Sequence, residues 1–347
     1  MLALVYHGPD DVRLDDRPIP DIAPDEVLIR VVSAGICGTD LRIVRGQHRM
    51  FPPGTVRIPG HEVVGDVVRT GSAVSDIAMG QRVFVAPNIG CGSCRHCRSG
   101  QNNRCASYEA LGVTMDGGFA EYMRIPGSAV RQGNLILVED GLDPGIATLI
   151  EPLACVLRGQ NASSLGIPDT VLIVGAGPIG LLHLALARLR GACSILVSDY
   201  LAERLQMAQQ MGADRVVDPA RENLTQVVRD VSRGEGADVI IVAAPSTEAQ
   251  EEALLQAAIG GRINFFGGLP RSWSNIRMDS NIVHYKELTI TGTTACSTED
   301  CWEAAQIVNS GRIDLRPLLS ARFPLRQANE ALALAGERQS LKIVLDC

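Results

Sequence analysis

The chain has 347 residues, enough for about two domains with sizeable cores, and its 46% hydrophobic and 20% charged content is that of an ordinary globular protein. Lys and Arg number 32 against 39 Asp and Glu, a net charge of −7. That balance argues against nucleic acid or an anionic membrane as partner, and no apolar run reaches the roughly 18 residues of a spanning helix.

The opening MLALVYHGPDDVRL lacks the basic-then-apolar build of a signal peptide, so a cytoplasmic setting is expected. In that reducing setting the ten cysteines read as metal ligands and free thiols, not disulfides. Residues 1 to about 148 are rich in Gly and Pro. Short apolar runs recur at Leu2–Tyr6, Val27–Val32, Val63–Val68, Val83–Val85 and Phe119–Arg124. Turn signals such as Gly71-Ser72 and Gly80-Gln81 separate them, which predicts a small irregular β-barrel.

Within this lobe lie Gly35-Ile36-Cys37-Gly38-Thr39-Asp40 and Gly60-His61-Glu62. Cys37, His61 and Glu62 offer a thiolate, an imidazole and a carboxylate. Three protein ligands with one open position describe a catalytic zinc, whose Lewis acidity would act on a bound oxygen. Taken singly, each has a plainer reading: Cys37 a buried small hydrophobe, His61 a core histidine, Glu62 a solvated strand-end charge.

Cys91, Cys94, Cys97 and Cys105 follow at the spacing C-x2-C-x2-C-x7-C. Four thiolates in so short a glycine-containing loop form a closed tetrahedral set, which braces a lobe and does not catalyse. An iron–sulfur cluster is the alternative occupant. His96 reads as a bystander.

A helical stretch, Pro152–Asn161, leads to VLIVGAGPIGLLHLALARLRGACSILVSD, residues 171–199. The apolar Val171–Val174 reads as a buried strand, and Gly175, Gly177 and Gly180 form G-x-G-x-x-G directly after it. Pro178 and Ile179 open a helix to Arg190, with Pro where a missing N–H does no harm. A second apolar run, Ile195–Val197, ends at Asp199. This is the order of a dinucleotide site: glycines for a tight turn and close approach to pyrophosphate, a positive helix end, and an acid for the ribose hydroxyls. Asp199 favours NAD, since a carboxylate repels a 2′-phosphate. Arg204 is placed over the adenine face or on a solvated helix surface.

Strand-like runs continue at Arg215–Val217, Asp238–Ala243, Arg262–Phe266 and Leu288–Thr291. Helical runs alternate with them at Leu201–Met211, Leu224–Ser232 and Glu248–Ala258. Six strands in this order predict a doubly wound parallel sheet. Gly267-Gly268 and Gly292-Thr293 fall at strand ends where a nicotinamide would lie. A helix, Glu299–Asn309, and a strand, Leu341–Leu345, complete the first lobe. The division predicted is 1–149 with 287–347 for the zinc lobe and 150–286 for the NAD-binding lobe.

Over essentially its full length the chain resembles the zinc-dependent medium-chain dehydrogenases, polyol (sorbitol, L-iditol) and threonine branch. The likeness rests on Cys37-Gly38-Thr39-Asp40, Gly60-His61-Glu62, the four-cysteine loop, Glu151-Pro152-Leu153-Ala154 and Gly175-Ala176-Gly177-Pro178-Ile179-Gly180. It implies an α/β protein with a GroES-like irregular β-barrel catalytic domain and a Rossmann domain. It implies catalytic zinc at Cys37, His61 and Glu62, with Glu151 touching the metal or its water. A proton relay would begin at Thr39, Lys342 would pair with Asp40, and the assembly would be a homo-dimer or homo-tetramer. Two departures stand out. Arg42 occupies the position where many members carry the histidine that ends the relay, and Arg42 accepts no proton at neutral pH; water or His48 would replace it. The stretch after Gly292 runs Thr293-Thr294-Ala295-Cys296, without the Arg-Tyr pair that grips polyol hydroxyls, which counts against sorbitol itself.

The function expected is zinc- and NAD-dependent oxidation of a secondary alcohol, foremost a polyol, to a ketone. The same chemistry on L-threonine, a sugar acid or a polyol phosphate is the alternative, and Arg42, Arg45, His48 and Arg49 could face an acidic group or simply solvent. A zinc-ribbon binding protein without catalysis is the reading from another class, favoured by the four-cysteine loop alone.

Overall fold

The computed structural model describes residues 1–270, 273–337 and 340–347. Contacts divide them into two units: Met1–Ala154 with Cys296–Gly311 and Leu315–Cys347, and Cys155–Ala295 with Arg312–Asp314.

The first unit is built on a seven-stranded sheet. Its hub is Val27–Ile36, which pairs antiparallel with Glu62–Thr70, Tyr122–Ile125 and Lys342–Asp346. Arg82–Val85 and Leu135–Leu137 extend one side, and Leu319–Pro324 runs parallel to Lys342–Asp346 on the other. Register shifts at Leu28/Ile29 and Val31/Ser33 show why no clean alternation was legible in Val27–Ile36. Such bulges bend a strand and let one element serve several partners. Val27, Ile29, Val31, Val63, Val83, Phe119, Met123, Ile125, Ile343 and Leu345 bury together on its inner side.

The second unit is a six-stranded, all-parallel sheet. In space the strands run Arg215–Val217, Ser194–Ser198, Thr170–Val174, Ala237–Val242, Ala257–Phe265, Thr289–Gly292. Numbered along the chain this is 3-2-1-4-5-6, the doubly wound order, with its switch point beside Thr170–Val174. The inner strands Thr170–Val174, Ser194–Ser198 and Ala237–Val242 are covered on both faces and read as unbroken apolar runs, which makes them legible in the sequence. Two bounds differ from expectation. The fifth strand starts at Ala257, where the pattern predicts helix, because Gly260 (φ +73°) and the register shift after Ala237 let a bulged segment pair. Because Thr289–Gly292 pairs with Ala257–Phe265, the chain re-enters the first unit at Cys296 and not at 287. Among the described residues no helix is long and apolar enough to cross a membrane.

Candidate active site and metal centres

The strand Val27–Ile36 delivers Cys37 to the start of the short helix Gly38–Val44. Cys37 N–H donates to Asp40 Oδ2 at 2.8 Å, so the cap fixes the thiol at the strand's end. Glu62 opens the neighbouring strand opposite Gly35, and His61 stands just before it. A Cβ on Gly35 would lie 2.1 Å from Glu62 Oε2, so glycine there makes room for the carboxylate. Cys37 Sγ, a His61 ring nitrogen and a Glu62 oxygen all lie within 4.8 Å of one another.

Charges around this set are buried and mutually arranged. Lys342, 4% exposed, donates to Glu62 Oε1 at 2.7 Å, Glu62 Oε2 at 2.5 Å and Ile36 O at 3.2 Å. Lys342 therefore partners Glu62, and not Asp40 as the resemblance implies. The register explains it: Ile343 faces Ile36, the last residue of the hub strand, which brings Lys342 to Glu62. Asp40 Oδ1 lies instead 3.5 Å from His61 Nδ1. Burial pulls the His61 pKa down, but the carboxylate of Asp40 and then Cys37 overcome it, leaving it well above the usual histidine value. Lys342 is likewise lowered by burial and raised further by Glu62 and Cys37, with a net upward shift.

This set fits a divalent cation on charge grounds. Buried charges must be paired or coordinate a metal. A thiolate, an imidazole and a carboxylate suit a divalent cation, whose charge would offset anions that Lys342 alone does not balance.

Glu151 does not join this set. It is buried at the start of the helix Ile150–Ala162, with Oε1 3.6 Å from Cys296 Sγ. Cys296 Sγ also lies 3.5 Å from Cys301 Sγ. Thr39 is half-buried, and its Oγ1 accepts from Arg42 Nη2 at 3.2 Å.

In the four-cysteine loop all four sulfurs lie within 4.8 Å of one another. Cys91 Sγ accepts from Cys94 N–H and Cys105 Sγ from Cys91 N–H, each at 3.3 Å. A Cβ on Gly90 would fall 2.4 Å from Cys97 Sγ, so the backbone closes tightly on the sulfurs. Hydrogen bonds from Ser93 first bring the Cys91 thiol down to about 6, while burial pushes Cys97 up to about 12. Four mutually close sulfurs in one loop fit a closed tetrahedral metal site. Asn102 ties the loop to the unit: Nδ2 donates to Asn88 O at 2.8 Å and to Thr298 Oγ1 at 2.9 Å.

In the second unit Gly175 takes φ +102° directly after the first strand. Gly177 caps the helix Pro178–Leu189, with Pro178 at its first position and Ile179 next. A Cβ on Gly180 would sit 1.7 Å from Gly175 O, so only glycine lets the helix start against that turn. Asp199 follows the second strand, and its oxygens accept from Ala176 N–H at 2.7 Å and Leu201 N–H at 2.9 Å. Arg204 Nη1 lies 3.9 Å from Asp199 Oδ2 and flanks Gly177, which puts it at the glycine turn and not on an open helix face. Gly267 packs against Ala244 O, where a Cβ would approach to 2.7 Å. Thr293 Oγ1 is buried without a hydrogen-bond partner just past the last strand.

Residues 23–133 match the family model for the alcohol dehydrogenase GroES-like domain, and residues 178–310 match that for zinc-binding dehydrogenases. The L-threonine 3-dehydrogenase of Caldanaerobacter subterraneus subsp. tengcongensis is 34% identical over 348 residues, covering 98% of this chain and 96% of the relative.

The chain belongs to the zinc-binding alcohol dehydrogenase family.

Among solved structures of this family, a Sinorhizobium meliloti protein bound to NADP superposes with a TM-score of 0.92 at 32% identity, covering 100% of this chain and 99% of the other. The alcohol dehydrogenase of Thermus sp. ATN1 gives 0.90 at 29% identity, with 100% and 99% covered. Against that background, three features of this dehydrogenase escaped sequence reasoning. The Lys342–Glu62 pair joins residues 280 positions apart. The Asn102–Thr298 clip spans 196. The contact of Cys296 with Glu151 spans 145. Each depends on sheet closure, which no local spacing encodes; only the rarity of a lysine inside the apolar strand Lys342–Asp346 could have pointed to the first.

Proposed function

We propose that this dehydrogenase oxidises a secondary alcohol to a ketone, passing hydride to NAD and releasing a proton. The carrying observation is the Cys37–His61–Glu62 set, whose charges close around a dication. Zinc held there supplies a Lewis acid that lowers the pKa of a hydroxyl brought to it. Asp40 aims His61 through Nδ1, so that its other nitrogen is the donor to the ion. Lys342 shares Glu62, so the carboxylate can turn toward or away from the ion without being left unpaired. Thr39 Oγ1 takes the alcohol's proton. Because Arg42 already donates to that oxygen, the relay leaves Thr39 through water or His48, not through residue 42.

Glu151 is proposed as an adjustable carboxylate of the same lobe, resting on Cys296 when not engaged. Cys91, Cys94, Cys97 and Cys105 hold a second, structural zinc. Gly175, Gly177, Pro178, Ile179 and Gly180 receive the pyrophosphate, Asp199 the adenosine ribose, Arg204 the adenine side, and Gly267 and Thr293 the nicotinamide. The Asp199 carboxylate supports NAD, although the Sinorhizobium meliloti relative binds NADP.

A polyol is the leading substrate class. L-threonine is the second reading, supported by a relative of that name covering 98% of the chain. The test is NAD and NADP reduction across secondary alcohols of both kinds, with wild type and Cys37→Ser. Turnover in the wild type that Cys37→Ser removes, together with loss of one of two bound zinc ions, is the expected result. Equal turnover in the variant would overturn the assignment.

A further inference from the structure

Several arginines of the first unit end on a carboxylate: Arg13 on Asp11, Arg30 and Arg82 on Asp66, Arg124 on Glu26, Arg131 on Asp25. Arg42 and Arg49 do not. Among the described residues neither has a carboxylate within ion-pair distance, and both are exposed. Arg42 stands at the reaction centre. Arg42 Nη2 is 3.2 Å from Oγ1 of Thr39, two residues past Cys37. His48, between them in sequence, feels both: burial and then Arg42, His61 and Arg49 lower its pKa, with Asp40 opposing. The carboxylates beside Cys37 and His61 are already engaged, Asp40 with Cys37 N–H and His61, and Glu62 with Lys342. Arg42 is thus an exposed cation beside Thr39 with no carboxylate of its own among the described residues. Guanidinium forks match carboxylate and phosphate oxygens, and near a reacting hydroxyl they select a substrate that carries one.

We propose that Arg42 receives an anionic substituent, carboxylate or phosphate, borne by the alcohol substrate. This rests on the alcohol dehydrogenase reading above and narrows it from polyols in general to acidic ones. Arg42 has two tasks in this arrangement. One arm of its fork holds Thr39 Oγ1, and the other faces the anion, so the charged group and the reacting hydroxyl are set in register. His48 completes the rim as a neutral hydrogen-bonding group.

Matched pairs test it: gluconate against sorbitol, L-threonine against L-threoninamide, galactitol 1-phosphate against galactitol. The readout is the ratio of kcat/KM for the charged member to that for its neutral partner, in wild type, Arg42→Gln and Arg49→Gln. The ratio should exceed one for at least one pair in the wild type. It should fall about tenfold to a hundredfold in Arg42→Gln, the cost of a charge-assisted hydrogen bond, and less in Arg49→Gln. KM for NAD should move little. A wild type that prefers every neutral partner overturns the proposal. So does a variant in which both members of a pair slow equally, since Arg42 would then act through Thr39 alone. A raised KM for NAD with an unchanged ratio would assign Arg42 to the cofactor's phosphates instead. Absence of any NAD- or NADP-linked turnover with all six compounds overturns the underlying reading together with this one.

Discussion

Replacing Lys342 by Met leaves Glu62 as a buried, unpaired carboxylate. Lys342 is 4% exposed and Glu62 fully buried, and both Glu62 oxygens end on Nζ, so solvent cannot take the lysine's place. Breaking such a pair from one side costs about 3–5 kcal/mol, most of it the desolvated charge left behind. In the first unit, of about 200 residues, that is a drop in Tm of about 6–20 °C. Glu62→Gln should cost a comparable amount, because it strands the buried ammonium. The double variant removes both charges and should be more stable than either single one. Calorimetric scans of the four proteins, with no metal at Cys37, His61 and Glu62, form a double-mutant cycle. Additive losses would refute the reasoning, as would a Lys342→Met variant within about 1 kcal/mol of wild type.

Two further outcomes follow. Asp199→Gly should raise kcat/KM with NADP relative to NAD by about tenfold or more, because a carboxylate fixed in place by two backbone N–H groups repels a 2′-phosphate; steady-state kinetics with both cofactors read it, and an unchanged ratio would detach Asp199 from the ribose. Cys97→Ser should halve the zinc content found by elemental analysis and lower the Tm. It should leave dinucleotide binding by fluorescence intact, since all four cysteines lie in the first unit; retention of two ions would contradict a closed four-sulfur cage.

How much could be read without coordinates follows from where each signal lies. The glycine turn, its helix and the inner parallel strands are local: a doubly covered strand is an apolar run, and Gly180 is required by an oxygen only five residues back in the chain. The four-cysteine loop is local too. The hub strand Val27–Ile36 is legible as apolar but not as a hub, since its bulges and three partners arise from distant pairing. The Lys342–Glu62 pair, and with it the freedom of Asp40 to face His61, follows from that same closure. Glu151 illustrates the opposite limit. Its motif marks it as a site residue, yet side-chain packing against Cys296 places it, and packing is not written in spacing.

The central claim is that a metal ion sits among Cys37, His61 and Glu62. Anomalous scattering at the zinc edge, from crystals grown without chelator, tests it most directly. Two peaks per chain are predicted, one bounded by Cys37 Sγ and His61 and one among Cys91, Cys94, Cys97 and Cys105. A single peak at the four cysteines, with Glu62 still closed on Lys342, would contradict it.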